Sequence, residues 1–94
     1  MIKSFADKET ELVYQQVFST KLPVDIQGVA LRKLIMINNS ENLIDLRVPP
    51  ANRLEKLSGN RKGQHSIRIN DQWRICFRFE KGDFWDVEIA DYHK

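Results

Sequence analysis

The spacing of apolar residues changes once along the chain, and this change does most to limit the folds available to it. In the first half, apolar side chains recur three or four residues apart, as on one stripe of an α-helix. From Arg53 onward they alternate with polar residues, as in strands that bury one face. A helical half followed by a strand half favours an α+β fold, with two helices packed on one face of a mainly antiparallel sheet. The other face is expected to be at least partly open.

The first half predicts two helices and a connection. We expect the first helix over about Lys8 to Phe18, with Asp7 as its N-cap, because Asp accepts a hydrogen bond from the first turn. The second helix is expected from Pro23 to residue 38 or 39, since proline suits a first turn. The segment Glu41–Pro50 predicts a short turn or one helical turn, because prolines forbid further helix.

Alternation in the second half predicts three strands, and a weaker alternation marks the N-terminus. In the strand Phe84–Asp91, we expect Trp85, Val87 and Ile89 to face the helices. The expected strand segments are Ile2–Phe5, His65–Ile69, Trp73–Phe79 and Phe84–Asp91.

The register of the strands follows from parity. Two strands bury their apolar residues on the same side only if opposed residues have matching parity. The first hairpin is therefore centred on Asp71, which places Arg68 opposite Arg74. The second is centred on Gly82, and it then opposes Phe79 to Trp85, Phe77 to Val87, Arg78 to Asp86, and Cys76 to Glu88.

Positive charge is concentrated in one segment. Between Arg53 and Arg78 there are seven basic and two acidic residues, a net charge of +5, whereas the rest of the chain carries −3. A polarised surface of this kind attracts polyanions. Two arginines opposed across strands repel each other by a few tenths to about 1 kcal/mol, a cost that an anion bound between their guanidinium groups offsets. We therefore expect Arg68 and Arg74 to bind phosphate, and Arg78 to form a structural pair with Asp86.

Two further segments are candidates for the same site. The two glycines and two cations of Ser58–Gly63 predict a tight turn that presents backbone N–H groups and charge to an anion. The sequence Asp91-Tyr92-His93 follows the last strand and supplies a carboxylate, a phenol and an imidazole, the side chain best suited to proton transfer near neutral pH. The register of that strand places Tyr92 beside Gln72 and near Arg74. His65 is expected on the same side of its strand as Ile67, so a role in packing and a role in the site are equally open.

Several classes of protein are excluded or disfavoured. A chain of 94 residues is expected to form one domain, residues 1–94. Its only cysteine, Cys76, excludes an internal disulfide and makes a thiolate metal cluster implausible, and two histidines make a poor zinc site. No metal and no cofactor are expected. No apolar run is long enough to span a bilayer, so we expect no membrane association and a cytoplasmic location.

Two motifs carry a resemblance that covers nearly the whole chain. They are NRLEKLSGNRKGQHSIRINDQWRICF at Asn52–Phe77 and VEIADYH at Val87–His93. Through these motifs the chain resembles a HigB-type toxin of the RelE/ParE superfamily, and within that family it is similar to the GraT-like branch. The resemblance implies two N-terminal helices on a twisted, mainly antiparallel sheet. It also implies metal-independent, ribosome-dependent cleavage of mRNA by attack of a ribose 2′-OH on the adjacent phosphate.

The resemblance also implies roles for individual residues. Arg74 would stabilise the transition state with help from Arg68, and His93 would act as general acid or base. Tyr92 would stack on a base or hydrogen-bond the phosphate, and Asp91 would orient its neighbours. The candidates for binding RNA or its phosphates are Arg53, Lys56, Arg61, Lys62 and His65.

One segment departs from the family pattern. Many HigB relatives have His-Pro-Leu-Lys-Gly where this chain has Glu55-Lys56-Leu57-Ser58-Gly59, so a catalytic histidine and a lysine of that pattern are missing. Glu55 would replace the histidine as a base, because a carboxylate near arginines stays ionised, or His65 would do so. The residues leave this choice open.

Partners and rival functions follow from the same resemblance. The implied partners are the 30S decoding site of the ribosome, mRNA, and a HigA-like antitoxin with a helix-turn-helix fold, in a toxin–antitoxin heterotetramer on operator DNA. One rival is a non-enzymatic, ParE-like gyrase inhibitor, which needs no proton-transfer residues. The other is a plain RNA-binding module, whose affinity falls steeply with salt.

Overall fold

The computed structural model describes residues 1–92, which form two helices and one four-stranded antiparallel sheet. The strands follow one another across the sheet in chain order. This arrangement confirms the predicted α+β fold. The elements are α1 (Lys8–Tyr14), α2 (Val24–Asn39), β1 (Glu55–Lys56), β2 (His65–Arg68), β3 (Trp73–Glu80) and β4 (Asp83–Asp91).

Helix α1 is four residues shorter than predicted. The expected helix reached Phe18, but Gln16 adopts a left-handed conformation with φ of 64°. Its N–H donates to the carbonyl of Val13 at 3.0 Å, and the N–H of Val17 donates to the carbonyl of Leu12 at 2.9 Å. This pair of hydrogen bonds is a Schellman motif, which ends a helix by satisfying its last carbonyl groups.

The other helical predictions are confirmed. The Asp7 side chain caps α1 by accepting a hydrogen bond from the N–H of Thr10 at 2.7 Å. Helix α2 begins directly after Pro23, and the connection that follows contains the short 3₁₀ helices Leu43–Arg47 and Pro50–Asn52. The structure adds a strand that the alternation did not indicate, the two-residue β1, which pairs with β2.

The first hairpin has the predicted register. Arg68 lies opposite Arg74 and Ser66 opposite Cys76, so the turn is centred on Asp71. Ser66 and Arg74 therefore project from the sheet face away from the helices, whereas Ile67 projects into the core.

The second hairpin differs from the prediction at its turn. Lys81 and Gly82 form a two-residue turn with φ of 53° and 82°, the signs that a tight hairpin turn of type I′ requires. Consequently Phe79 lies opposite Phe84 rather than Trp85. Similarly Arg78 lies opposite Trp85 rather than Asp86.

A β-bulge in β4 restores the predicted register beyond this turn. The pairing shifts by one residue between Cys76 and Arg78, where Asp86 adopts φ of 53°. From the bulge onward the predicted pair of Cys76 with Glu88 is present, whereas the predicted pair of Phe77 with Val87 is not formed. The Arg78 guanidinium still reaches the Asp86 carboxylate at 3.6 Å, although the two residues are not cross-strand partners.

The shifted turn exchanges two aromatic residues between core and surface. Phe84 is fully buried and contacts the rings of Phe77 and Phe79, with centroids 5.3 and 5.0 Å away. Trp85, which was expected to face the helices, is 36% exposed. The expectation for Trp85 was therefore wrong, whereas those for Val87 and Ile89 are confirmed.

The N-terminal segment lies along β4. Ile2 and Phe5 form isolated parallel bridges with Phe84 and Val87, which replace the short strand expected there. The main core lies between the helices and the inner face of the sheet. Its fully buried side chains include Leu34, Ile37, Leu46, Ile67, Ile75, Phe77, Phe84 and Val87.

The outer face of the sheet is partly open, as predicted, and partly covered. A second apolar cluster of Leu57, Cys76 and Ala90 lies on this face, and Tyr92 packs against it. Leu57 belongs to the loop after β1, which folds back over the strands. The face therefore carries a partly enclosed surface instead of a flat one. Within residues 1–92, no helix combines the length and apolar character needed to cross a bilayer.

The exchange of the two aromatic residues predicts unequal effects of truncation. We expect Phe84→Ala to lower the free energy of unfolding by about 3–5 kcal/mol, because it empties a fully buried ring position. Trp85→Ala, its matched neighbour, should cost clearly less. Urea denaturation followed by circular dichroism measures both, and an equal or larger loss for Trp85→Ala would contradict the pairing of Phe79 with Phe84.

Candidate active site

The most enclosed cation of the outer face is Arg74, whose residue is only 8% exposed. Its Nε donates a hydrogen bond to Ser66 Oγ at 2.7 Å. Its Nη2 donates to the carbonyl of Arg53 at 2.5 Å and, more weakly, to the carbonyl of Ser66 at 3.4 Å. Within the described part of the chain, all of these acceptors are neutral. The charge of Arg74 therefore remains available to an anion.

Three further arginines at this face are paired with carboxylates. Arg61 binds Glu88 at 3.0 Å, Arg78 lies 3.6 Å from Asp86, and Arg68 donates to Asp71 in the hairpin turn. The Glu88 hydrogen bond raises the pKa of Arg61. Because their charges are already partly compensated, we expect these arginines to bind a further anion less strongly than Arg74.

Arg68 and Arg74 lie opposite each other in the backbone, but their guanidinium groups bind different partners. Their Cα positions are partners, as the register predicted. However, the Arg68 guanidinium donates to Asp71, whereas Arg74 is directed to Ser66 and the Arg53 carbonyl. The expected single anion held between two guanidinium groups is therefore not prepared in this structure. Arg68 lies at the edge of the site.

The carbonyl that accepts from Arg74 is placed by a strained residue. Arg53 adopts φ of 45° and ψ of 57°, a left-handed conformation that is uncommon for residues other than glycine. Asn52, fully buried before it, donates through Nδ2 to the carbonyls of Leu46 and Val48 at 3.1 and 3.3 Å. Lys33 of α2 in turn donates to Asn52 Oδ1. This network holds the loop against α2, so the Arg53 carbonyl has a defined position.

Tyr92 lies on the same face as Arg74. Its N–H donates to the Gln72 carbonyl at 2.6 Å, which confirms the predicted placement. Burial raises the pKa of its phenol, while the charges of Arg61 and Arg74 act in the opposite direction. Burial also raises the pKa of the neighbouring Cys76 thiol. The phenol is therefore a neutral hydrogen-bonding group at neutral pH.

Glu55 lies on the outer face as well, and it is exposed. It is the cross-strand partner of Ser66, the residue that binds Arg74. Strand partners project to the same side of a sheet, so the carboxylate of Glu55 projects to the side on which Arg74 lies.

His65 lies on the opposite side of the sheet. It pairs with Phe77 in the strands, and its ring stacks on the Phe77 ring with centroids 6.3 Å apart. Burial, and secondarily the charge of Lys56, lowers the pKa of His65. Of the two roles left open for it, packing is the one that the structure shows. Its strand partner Lys56 is exposed and shares this side, so neither side chain joins the group around Arg74.

Some of the backbone donors expected from the loop Ser58–Gly63 are used within the loop itself. The N–H groups of Arg61, Lys62 and Gln64 donate to carbonyls within the loop at 3.0 to 3.2 Å, so the loop's own turns use them. Arg61 nevertheless reaches over the outer face to Glu88, and Lys62 is exposed. The loop contributes cationic side chains to the rim of the site.

The C-terminal triplet is only partly described. Asp91 is exposed, opposes Trp73, and accepts hydrogen bonds from Gln72 Nε2 at 3.1 and 3.2 Å. His93 lies outside the described residues. Among residues 1–92, no three His, Cys, Asp or Glu side chains converge in a way that could hold a metal ion.

Sequence reasoning missed two residues of this site, Ser66 and Asn52. Alternation along the strand places Ser66 on the outer face, but nothing in its spacing marks it as a partner of Arg74. The positive φ of Arg53 likewise has no local signal, since neither glycine nor asparagine occupies that position. The side chain of Arg74 meets Ser66 on the neighbouring strand and the carbonyl of Arg53 21 residues away, and only the folded chain shows these contacts.

Comparison with known proteins places these features in a family. A family model described as the RelE-like toxin of the type II toxin–antitoxin system HigB matches residues 3–93. Toxin HigB-1 of Vibrio cholerae is 40% identical over 83 residues, which are 87% of each chain. Endoribonuclease HigB of Proteus vulgaris is 30% identical over 93 residues, covering 99% of this chain and 100% of the relative.

Solved structures share the fold at lower identity. A chain of the YoeB–YefM complex of Staphylococcus aureus aligns over 100% of this chain and 99% of its own length, with a TM-score of 0.60 and 20% identity. YafQ of Escherichia coli aligns over 97% of this chain and 93% of its own, with a TM-score of 0.55 and 12% identity.

The position of His65 predicts a specific pH dependence of stability. Its pKa in the folded protein is lowered from the ordinary value of 6.5, so the unfolded chain binds the proton more readily. Stability should therefore fall as the pH drops through 6.5 toward the folded pKa, and His65→Gln should reduce this loss. Urea denaturation between pH 7.5 and 5.5 measures it, and an undiminished slope in His65→Gln would contradict the assignment.

Proposed function

The chain belongs to the HigB-like family of RelE-like toxins from type II toxin–antitoxin systems, and from that premise we propose that it cleaves translated mRNA as a ribosome-dependent endoribonuclease. The predicted family is thereby confirmed, and family membership implies an antitoxin partner. The name of the Proteus vulgaris relative, Endoribonuclease HigB, supports the activity. The single observation that carries the proposal is an enclosed arginine whose hydrogen bonds, within residues 1–92, go to neutral oxygens.

The proposed reaction needs a cation beside the scissile phosphate. Attack of the ribose 2′-OH on the adjacent phosphorus builds additional negative charge on the non-bridging oxygens. A guanidinium held in place beforehand stabilises that charge without reorganising during the reaction. Arg74 is restrained at Nε and Nη2, so it is the residue that we assign to this role.

Two proton transfers complete the reaction. The 2′-OH must lose a proton, and the departing 5′-oxygen must gain one. We assign the first step to Glu55, whose carboxylate projects to the same side of the sheet as Arg74. His93 would supply the second proton, and the neutral phenol of Tyr92 would hydrogen-bond the phosphate or stack on a base. Asp91 would orient the C-terminal segment through its contact with Gln72.

The remaining cations are assigned to binding along the RNA strand. Arg61 and Lys62 lie on the loop at the rim, and Arg68 lies at the turn of the first hairpin. Surface cations of this kind, of which Lys62 is exposed and the two arginines are half-buried, hold phosphates in register without reading the bases. Arg53, which follows the second 3₁₀ helix, and Lys56 of β1 are also exposed and would contact RNA or ribosome from there.

The antitoxin is proposed to be HigA-like, with a helix-turn-helix fold, and to bind operator DNA together with the toxin as a heterotetramer. The ribosomal partner is proposed to be the 30S decoding site, which places the toxin in the cytoplasm. The antitoxin would neutralise the toxin by covering the basic face or by blocking entry to the ribosome from another surface.

Removal of the Arg74 charge should abolish most cleavage. We expect Arg74→Ala to lower the cleavage rate about 10²- to 10³-fold, the usual cost of losing a donor to a developing oxyanion. Arg32→Ala on α2, an exposed arginine of the helical layer, is the matched control and should cleave at the wild-type rate. Mapping of 5′ ends in translated mRNA measures both.

The same assay separates the proposal from its rivals. Absence of new 5′ ends with the wild-type protein would refute the nuclease, and inhibition of gyrase in that case would favour the ParE-like alternative. Cleavage by Arg74→Ala at the full rate would refute the site assignment alone. His93→Ala belongs in the same series, because it removes the proposed acid.

The assignment of Glu55 predicts a change in pH dependence. A catalytic carboxylate loses function when protonated, so the wild-type rate should fall at acidic pH. We expect Glu55→Gln to lower the rate about 10²- to 10⁴-fold and to remove that acidic limb. Glu41→Gln, an exposed carboxylate after α2, is the control. A pH–rate profile of Glu55→Gln with the wild-type shape would contradict the role.

A further inference from the structure

We propose that Ser66 is a positioning residue of the active site, which fixes the guanidinium of Arg74 in the orientation that receives the scissile phosphate. This inference rests on the proposed function and deepens it. Ser66 does not touch the reacting atoms in this proposal. It acts through Arg74 alone.

Two acceptors hold one edge of the Arg74 guanidinium. Ser66 Oγ accepts from Nε at 2.7 Å, and the Arg53 carbonyl accepts from Nη2 at 2.5 Å. These two donors lie on one edge of the planar guanidinium group. Two acceptors on one edge restrain rotation about the terminal bonds of the side chain. Within residues 1–92, Nη1 has no hydrogen-bond partner, so it remains as the donor for a ligand.

Both acceptors are neutral, so they leave the charge of Arg74 uncompensated. A carboxylate at position 66 would hold Arg74 at least as firmly, but it would also cancel the charge that a phosphate needs. The paired arginines show this alternative on the same face, since Arg61 and Arg78 are each held by an acidic residue. A hydroxyl orients the guanidinium without neutralising it.

The position of Ser66 explains why a small residue is needed. Ser66 is fully buried, and its cross-strand partners are Glu55 and Cys76. Arg74 reaches it diagonally from β3, across one residue of the ladder. A larger side chain at this position would displace the guanidinium from the Arg53 carbonyl, whereas alanine would leave Nε–H without its acceptor.

A double-mutant cycle in the cleavage rate tests the inference. Ser66→Ala removes a hydrogen bond to a charged group, so we expect it to lower the single-turnover rate on translated mRNA about tenfold to a hundredfold. In the Arg74→Ala background, the same substitution should change the rate by less than about twofold, because its effect passes through Arg74. An equal loss in both backgrounds would overturn the inference.

The matched control is Ser40→Ala. Ser40 is also buried, and its hydroxyl donates to the Met36 carbonyl at 2.8 Å, but it lies at the end of α2 in the helical layer. Its loss should lower the melting temperature without changing the cleavage rate. If Ser66→Ala does not fold, Ser66→Cys fills the same space with a weak acceptor and should show a reduced rate.

A measurement on the toxin alone separates this inference from the proposed activity. The Nε–Hε signal of Arg74 in a ¹⁵N NMR spectrum reports its hydrogen bond directly. Ser66→Ala should shift that signal and accelerate its exchange with water about tenfold or more, with no such change in Ser40→Ala. An unchanged signal would refute the positioning role. If the wild type cleaves no RNA, the nuclease proposal fails, and the signal still decides whether Ser66 holds Arg74.

Discussion

The pairing of β2 with β3 about Asp71 is the constraint on which both faces of the sheet depend. It places Ile67 opposite Ile75 under the helices and leaves Arg74 on the other side, with Ser66 within reach of its guanidinium. Because side chains alternate along a strand, a shift of one residue would drive an arginine into the apolar core. The burial of the isoleucines and the position of Arg74 on the outer face are therefore two results of one register.

The arrangement of carboxylates on the outer face then separates the arginines by function. Acidic partners compensate Arg61, Arg68 and Arg78, whereas Arg74 is bound by a hydroxyl and by backbone carbonyls in the described part of the chain. Enclosing a cation without a counter-ion costs free energy unless its donors are satisfied. Neutral acceptors meet most of that need while the charge itself stays available, which is the property that phosphoryl chemistry requires.

Local turn chemistry limited what the sequence could predict about the second hairpin. Parity gave the correct pairing of Cys76 with Glu88, because the bulge at Asp86 adds the residue that the two-residue turn at Lys81 and Gly82 omits. Between turn and bulge the pairing is shifted, so that Phe84 rather than Trp85 enters the core. Parity alone cannot distinguish a turn with one central residue from a two-residue turn combined with a bulge.

The sequence by itself determined the order of helices and strands, the cap at Asp7, the register about Asp71, and the family through its motifs, because these depend on residues close together in the chain. Only the tertiary structure decided which arginine of the outer face, among the described residues, lacks an acidic partner, and that His65 packs on the helix side of the sheet. Arg61 meets a carboxylate 27 residues away, Arg74 meets a carbonyl 21 residues away, and His65 stacks on Phe77 of the next strand. Spacing sets the side of a strand on which a residue lies, whereas its partners come from distant segments that only folding brings together.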